Sequence, residues 1–116
     1  MAIHHAQSGE VVDVGPLGEA LRDYQTHAVI KTPDLEVLRL VMPQGKEFPV
    51  HRAPGRITVH CVEGRVAFTA LRGTVDLVAG QLLYLEPEEP HSLLAHEDSS
   101  LLVTMVLPGH ANHAAQ

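Results

Sequence analysis

The sequence predicts an all-β fold, a jelly-roll barrel with one short N-terminal helix. Three observations carry that prediction. Over most of the chain, apolar residues follow the two-residue period of strands rather than a helical period. Nine glycines and eight prolines are spread along the chain at turn-like intervals instead of being gathered in a linker. The segments between them are short and recur roughly every 8–12 residues, the rhythm of sandwiches and barrels.

Taken in order, Val11–Val14 reads as a short extended piece. Gly15-Pro16 then opens a helix of about two turns, with proline where a missing N–H costs nothing and Leu17, Ala20, Leu21 and Tyr24 on one face. So short a helix cannot hold itself and must pack on something. Strands follow at His27–Lys31, Leu35–Met42, Phe48–His51, Ile57–Val62, Arg65–Leu71, Thr74–Val78, Leu82–Leu85, His91–Ala95 and Ser100–Leu107. The breaks fall at Thr32-Pro33-Asp34, Pro43-Gln44-Gly45, Ala53-Pro54-Gly55, Glu63-Gly64, Gly73, Ala79-Gly80 and the Glu86–Pro90 loop. No internal repeat emerges. Residues 1–10 are expected to form a flexible N-terminus, 11–108 a single domain and 109–116 a flexible tail.

Leu35–Met42 and Leu101–Leu107 are apolar on both faces. One face meets the core, so something must cover the other. A second copy of the chain is the expected cover, making a homodimer; the alternative is the chain's own N-terminal segment.

Composition narrows the function. With 116 residues the chain has room for one core, and 45% apolar content is that of a globular domain. Eight Lys plus Arg against fourteen Asp plus Glu, with no basic cluster, argue against nucleic acid as a partner. No stretch approaches a membrane span, so no membrane partner is expected. Cys61 stands alone and cannot form an intrachain disulfide, and the first residues show no export signal; a cytoplasmic protein is expected. G-x-S-x-G, Walker and G-x-G-x-x-G motifs are absent.

Histidine is the unusual entry in the composition, with nine copies. His4, His5, His110 and His113 lie in polar ends, leaving His27, His51, His60, His91 and His96 inside the domain. Two of these sit in a recognisable frame. The stretch Gly45-x5-His51-x-Ala53-x3-Ile57-x6-Gly64 resembles the first cupin motif, G-x5-H-x-H-x3-4-E-x6-G. Gly80-x10-His91 resembles the second, G-x5-P-x-G-x2-H, and the 15 residues between Gly64 and Gly80 match the spacing in small single-domain cupins. The resemblance implies a cupin double-stranded β-helix, of the RmlC-like superfamily, with a degenerate first motif.

The cupin site holds a divalent metal through two His and one Glu of the first motif and one His of the second. By that resemblance, His51 and His91 occupy ligand positions, while Ala53 and Ile57 stand where the second His and the Glu belong. Glu86 and Glu88 replace the second motif's Pro and Gly. Alkyl groups donate no lone pair, and two imidazoles make a weak site for Mn, Fe, Ni or Zn. A third ligand is unassigned. Because the Glu position faces the barrel interior in the family, strand alternation puts Ile57, Val59 and Cys61 inside and His60 outside. His96 is expected on the surface, and Glu47 and Arg52 as solvated rim residues. Glu86, Glu88 and Glu89 read as a solvated acidic loop; if close to His91 they would raise its pKa. Cys61 reads as a buried structural thiol rather than a nucleophile.

The resulting expectation is a small-molecule-binding barrel of unidentified ligand, its pocket formed by His51, His91, Ile57, Val59 and Cys61. The alternative is a metal-dependent cupin enzyme of dioxygenase, decarboxylase or isomerase type with an atypical divalent-metal site at His51 and His91. A metal-free acid–base enzyme using the two histidines is a third reading, weakened by the lack of an orienting carboxylate.

Overall fold

The computed structural model describes residues 4–108, so the expected 109–116 tail lies outside the described residues. Nine strands are found among them: β1 (His27–Lys31), β2 (Leu35–Met42), β3 (Glu47–His51), β4 (Ile57–Glu63), β5 (Arg65–Ala70), β6 (Gly73–Val78), β7 (Leu82–Leu85), β8 (His91–Ala95) and β9 (Ser99–Val106). They form two antiparallel sheets, ordered β1-β2-β9-β4-β7 and β3-β8-β5-β6. Between the sheets, inward side chains close a core around Met42, Val59, Cys61, Val66, Phe68 and Leu101, all fully buried. No helix among the described residues is long and apolar enough to cross a membrane.

Two expectations at the N-terminus are corrected. Val11–Val14 joins no sheet, and the two-turn helix is a 3₁₀ segment at Gly18–Asp23 rather than one opening at Pro16. Of its expected apolar face only Leu21 is buried, while Ala20 and Tyr24 are exposed. Leu21 alone is worth about 2 kcal/mol of apolar burial. Leu17, the residue just before the segment, offers no side-chain cap. Glu63, at the end of β4, supplies one instead: its carboxylate accepts the Leu17 and Gly18 amides at 2.9 and 3.0 Å.

The same carboxylate lies 3.7 Å from the Arg39 guanidinium and accepts the Ser100 hydroxyl. Arg39 also donates to the Gly15 carbonyl and to Ser100 Oγ. Arg39 belongs to the outer face of β2, yet it is only 4% exposed. The chain's own N-terminal segment therefore covers part of that outer face. Farther along the same face, Leu82, Tyr84 and Val106 stay exposed.

Backbone approach decides two glycines. At Gly64 φ is +85°, and a Cβ would lie 2.2 Å from Ser99 Oγ. At Gly55 a Cβ would lie 1.9 Å from the Val106 carbonyl oxygen, where the loop from β3 crosses β9.

Candidate functional site

The site lies at one open end of the barrel and begins with a register irregularity. On β8, alternation sends His91, Leu93 and Ala95 inward, all buried. On the neighbouring edge strand β3, Phe48 pairs with Leu93 and packs on the core. Strict alternation would then turn His51 outward, three residues later. The pairing instead slips between Phe48 and His51, so that His51 sits directly opposite His91. This bulge contains Pro49, whose missing N–H is tolerated on an edge strand, and Val50, which is pushed into solvent. The extra residue re-aims His51 into the barrel.

The two imidazoles meet there with ring centroids 4.2 Å apart and planes tilted by 58°. Phe68, on β5, stacks nearly parallel on His91 at 5.7 Å. Both rings are held from behind. The His51 Nδ1–H donates to the Pro49 carbonyl at 3.1 Å, and the His91 Nδ1–H donates to the Glu89 carbonyl at 3.0 Å. A carbonyl can only accept, so in each neutral ring the proton is on Nδ1 and the lone pair is on Nε2. His91 is 5% exposed. Its burial pushes the imidazole pKa below the ordinary value; the Glu89 carbonyl opposes this, and the adjacent His51 adds to it.

Beneath the histidines is a cavity of about 240 Å³. Its walls are Leu38 and Leu40 from β2, Ile57 and Val59 from β4, Leu93 from β8, Val103 and Met105 from β9, and Phe68. Arg52, Ala53 and Pro54 form the lip. Of the pocket residues named from sequence, His51, His91, Ile57 and Val59 come together here. Cys61 does not: it lies in the core, its thiol donating to the Glu63 carbonyl, and burial pushes its pKa up.

Other sequence expectations resolve by register. His60 is half-buried on the outer face, paired with Leu82 and Leu102. Glu47 pairs with Leu94 and points away from the barrel. Arg52 is exposed as expected of a rim residue, but it also lines the cavity. The charge of Glu89 in the acidic loop does push the His91 pKa upward, as its sequence proximity suggested, but burial outweighs it and the net shift is downward. Two of the loop's carboxylates are occupied elsewhere: Glu86 pairs with Arg56 at 2.8 Å, and Glu89 accepts the Leu71 and Glu86 amides. Glu88 keeps a left-handed backbone, φ +66°, at the position where the second motif expects glycine. Its N–H donates to the Ala53 carbonyl at 2.8 Å, which ties this loop to the lip.

The donor set does not suit a resident catalytic metal. Two Nε2 atoms are presented, but Ala53 and Ile57 fill the other two family positions with alkyl groups. Among the described residues no cluster of three or more His, Cys, Asp or Glu is placed to hold an ion.

Two antiparallel sheets enclose an apolar cavity with an imidazole pair at its mouth, the architecture of a jelly-roll β-barrel. The cupin-domain family model matches residues 38–107, and the chain belongs to the cupin family. Among solved structures it is similar to a conserved protein of unknown function from Streptococcus pyogenes, with 23% identity, TM-score 0.71, and 93% of this chain and 96% of that one covered. An RmlC-like cupin from Shewanella frigidimarina matches at 18% identity and TM-score 0.68, covering 97% and 96%. A variant of salicylate 1,2-dioxygenase from Pseudoaminobacter salicylatoxidans matches at 18% identity and TM-score 0.68. This chain covers only 28% of that enzyme and is itself covered over 77%. At these identities the likeness shows the fold. No curated protein matches the sequence.

Proposed function

We propose that this chain is a small-molecule-binding cupin whose ligand enters at His51 and His91. The observation that supports it is the cavity itself: about 240 Å³ of apolar space under two imidazoles whose Nε2 atoms have no hydrogen-bond partner among the described residues. That volume is below the roughly 300–1,000 Å³ of sites for drug-sized molecules, so the ligand is small. Fragment screening by NMR tests it. Binders should move the ring resonances of His51 and His91, and a screen that leaves both unmoved overturns the reading.

The second reading is a metal-dependent enzyme of dioxygenase, decarboxylase or isomerase type. It is favoured by the two backbone-anchored Nδ1–H groups, the support that metal-ligating histidines commonly have. Elemental analysis of protein purified without added metal decides between them. Stoichiometric Mn, Fe, Ni or Zn would favour the enzyme; metal-free protein that takes up none on titration would remove it.

A homodimer is part of the proposal. Leu82, Tyr84 and Val106 support it as exposed apolar side chains on one outer face, left uncovered by the described N-terminal residues. Light scattering at micromolar concentration reads the mass directly. A cytoplasmic setting, without nucleic-acid or membrane partners, is the setting the single Cys61 and the net charge of −6 support.

A further inference from the structure

The cavity presents three kinds of surface, and together they specify a ligand chemistry, which rests on the small-molecule-binding function proposed for this chain. The walls are aliphatic at Leu38, Leu40, Val103 and Met105, which suits an apolar body. The imidazoles face that space as acceptors, because each Nδ1–H is already committed to a backbone carbonyl. His91 is buried and His51 is exposed at the mouth, and an acceptor facing an apolar cavity calls for a donor on the ligand, of which a hydroxyl is the compact one.

The third surface is a cation. Arg22, Lys31, Arg39, Arg56 and Arg65 each lie between 2.8 and 3.9 Å from a carboxylate. Lys46 sits over the Phe48 ring, and Arg72 borders a separate depression beside Glu86 and Glu89. Arg52 alone among the cations lines the histidine cavity. Among the described residues it has no carboxylate partner, and its one hydrogen bond is a 3.4 Å contact from Nη1 to the Glu88 carbonyl. Most of a planar, five-donor group is therefore free at the lip of an apolar hole. Of the acidic loop, Glu86 is paired with Arg56 and Glu89 is bound by two amides, while the Glu88 carboxylate, next to Arg52 through its backbone carbonyl, makes no ion pair with it.

We propose that the cavity takes a small carboxylic acid that also carries a hydroxyl group. The carboxylate lies on the Arg52 guanidinium, the hydroxyl donates to Nε2 of His51 or His91, and the apolar body fills the space between the sheets.

Titration of the full chain with 2-, 3- and 4-hydroxybenzoate, benzoate and phenol tests this, by calorimetry and by the histidine ring resonances. The three isomers vary the spacing between the two polar groups. At least one should bind about tenfold more tightly than both benzoate and phenol. Arg52→Gln, at an exposed position that leaves the fold intact, should weaken that isomer about 10- to 100-fold and leave phenol unchanged. Arg52→Lys should recover part of the loss, because it keeps the charge and loses the fork. Phenol binding as well as the acids, or an acid affinity indifferent to Arg52→Gln, overturns the inference and leaves the cavity reading standing. Neutral fragments that bind where all the acids fail do the same. If no fragment of any charge moves His51 or His91, the cavity reading falls as well.

Discussion

Two polar clusters in this molecule, one under the N-terminal segment and one at the barrel mouth, differ in what completes them. Under the N-terminal segment, Arg39, Glu63 and Ser100 bond to one another and to the Gly15 carbonyl and the Leu17 and Gly18 amides. Burial pulls the Glu63 pKa upward, but those amides, the Ser100 hydroxyl and Arg39 together outweigh it and hold the carboxylate below its usual range. Among the described residues, Arg39 Nε is the one fully buried side-chain polar atom left without a partner. At the barrel mouth, His51 and His91 are anchored on one side and open on the other. The first cluster is closed by its own chain and works as a clamp. The second keeps unspent bonding capacity facing a cavity, which is what a ligand site needs.

The strongest way to sharpen the comparison is to complete the open cluster. Ala53→His with Ile57→Glu restores both missing donors at positions that already line the cavity. The double variant should take up a stoichiometric divalent transition metal and gain thermal stability from it, whereas the parent should not. Equal uptake by both proteins would show that two imidazoles and an unassigned donor suffice.

Next in size is breaking the closed cluster. Arg39→Ala leaves Glu63 buried without its cation and should cost about 3–5 kcal/mol in denaturant unfolding. A loss below about 1 kcal/mol would mean that solvent enters readily and the clamp is ornamental.

A smaller effect comes from pH. The folded-state pKa of His91 is lowered, so below about 6.5 the unfolded chain takes up a proton that the folded chain resists. Stability should therefore fall as pH drops from neutrality through that value, and His91→Asn should flatten this part of the profile. Glu63, also lowered, contributes a second loss at more acid pH, beginning near about 4.3 and removed by Glu63→Gln. A His91→Asn profile that overlays the parent would assign the slope elsewhere. The smallest effect is at Glu88→Gly, which relieves a left-handed backbone and should stabilise by up to about 1 kcal/mol, read as a rise in Tm.

How much of the molecule was legible in the sequence depends on the range of the interaction. Alternation along β4 placed Ile57 and Val59 inward and His60 outward, because each side chain's face follows from its neighbour's. The family spacing singled out His51 and His91. Arg52 was read as a rim residue, since nothing local says that its lip borders a cavity whose far wall comes from β2 and β9. A signal for the bulge was present in Pro49, a proline inside a strand, but its consequence for the facing of His51 depends on pairing with β8. The burial of Arg39 carried no local mark, because its partners lie 24 residues before it at Gly15 and 61 after it at Ser100.

By itself, then, the sequence determined the strand rhythm, the facing of most inner residues, the family frame and the loss of two metal donors, all of which depend on spacing over a few residues. Only the tertiary structure decided that His51 turns inward, that Arg52 borders the cavity, that Cys61 stays out of it, and that the outer face of β2 is clamped by the chain's own N-terminus. Those outcomes are set by contacts between segments far apart in the chain, and no local period encodes which of them meet.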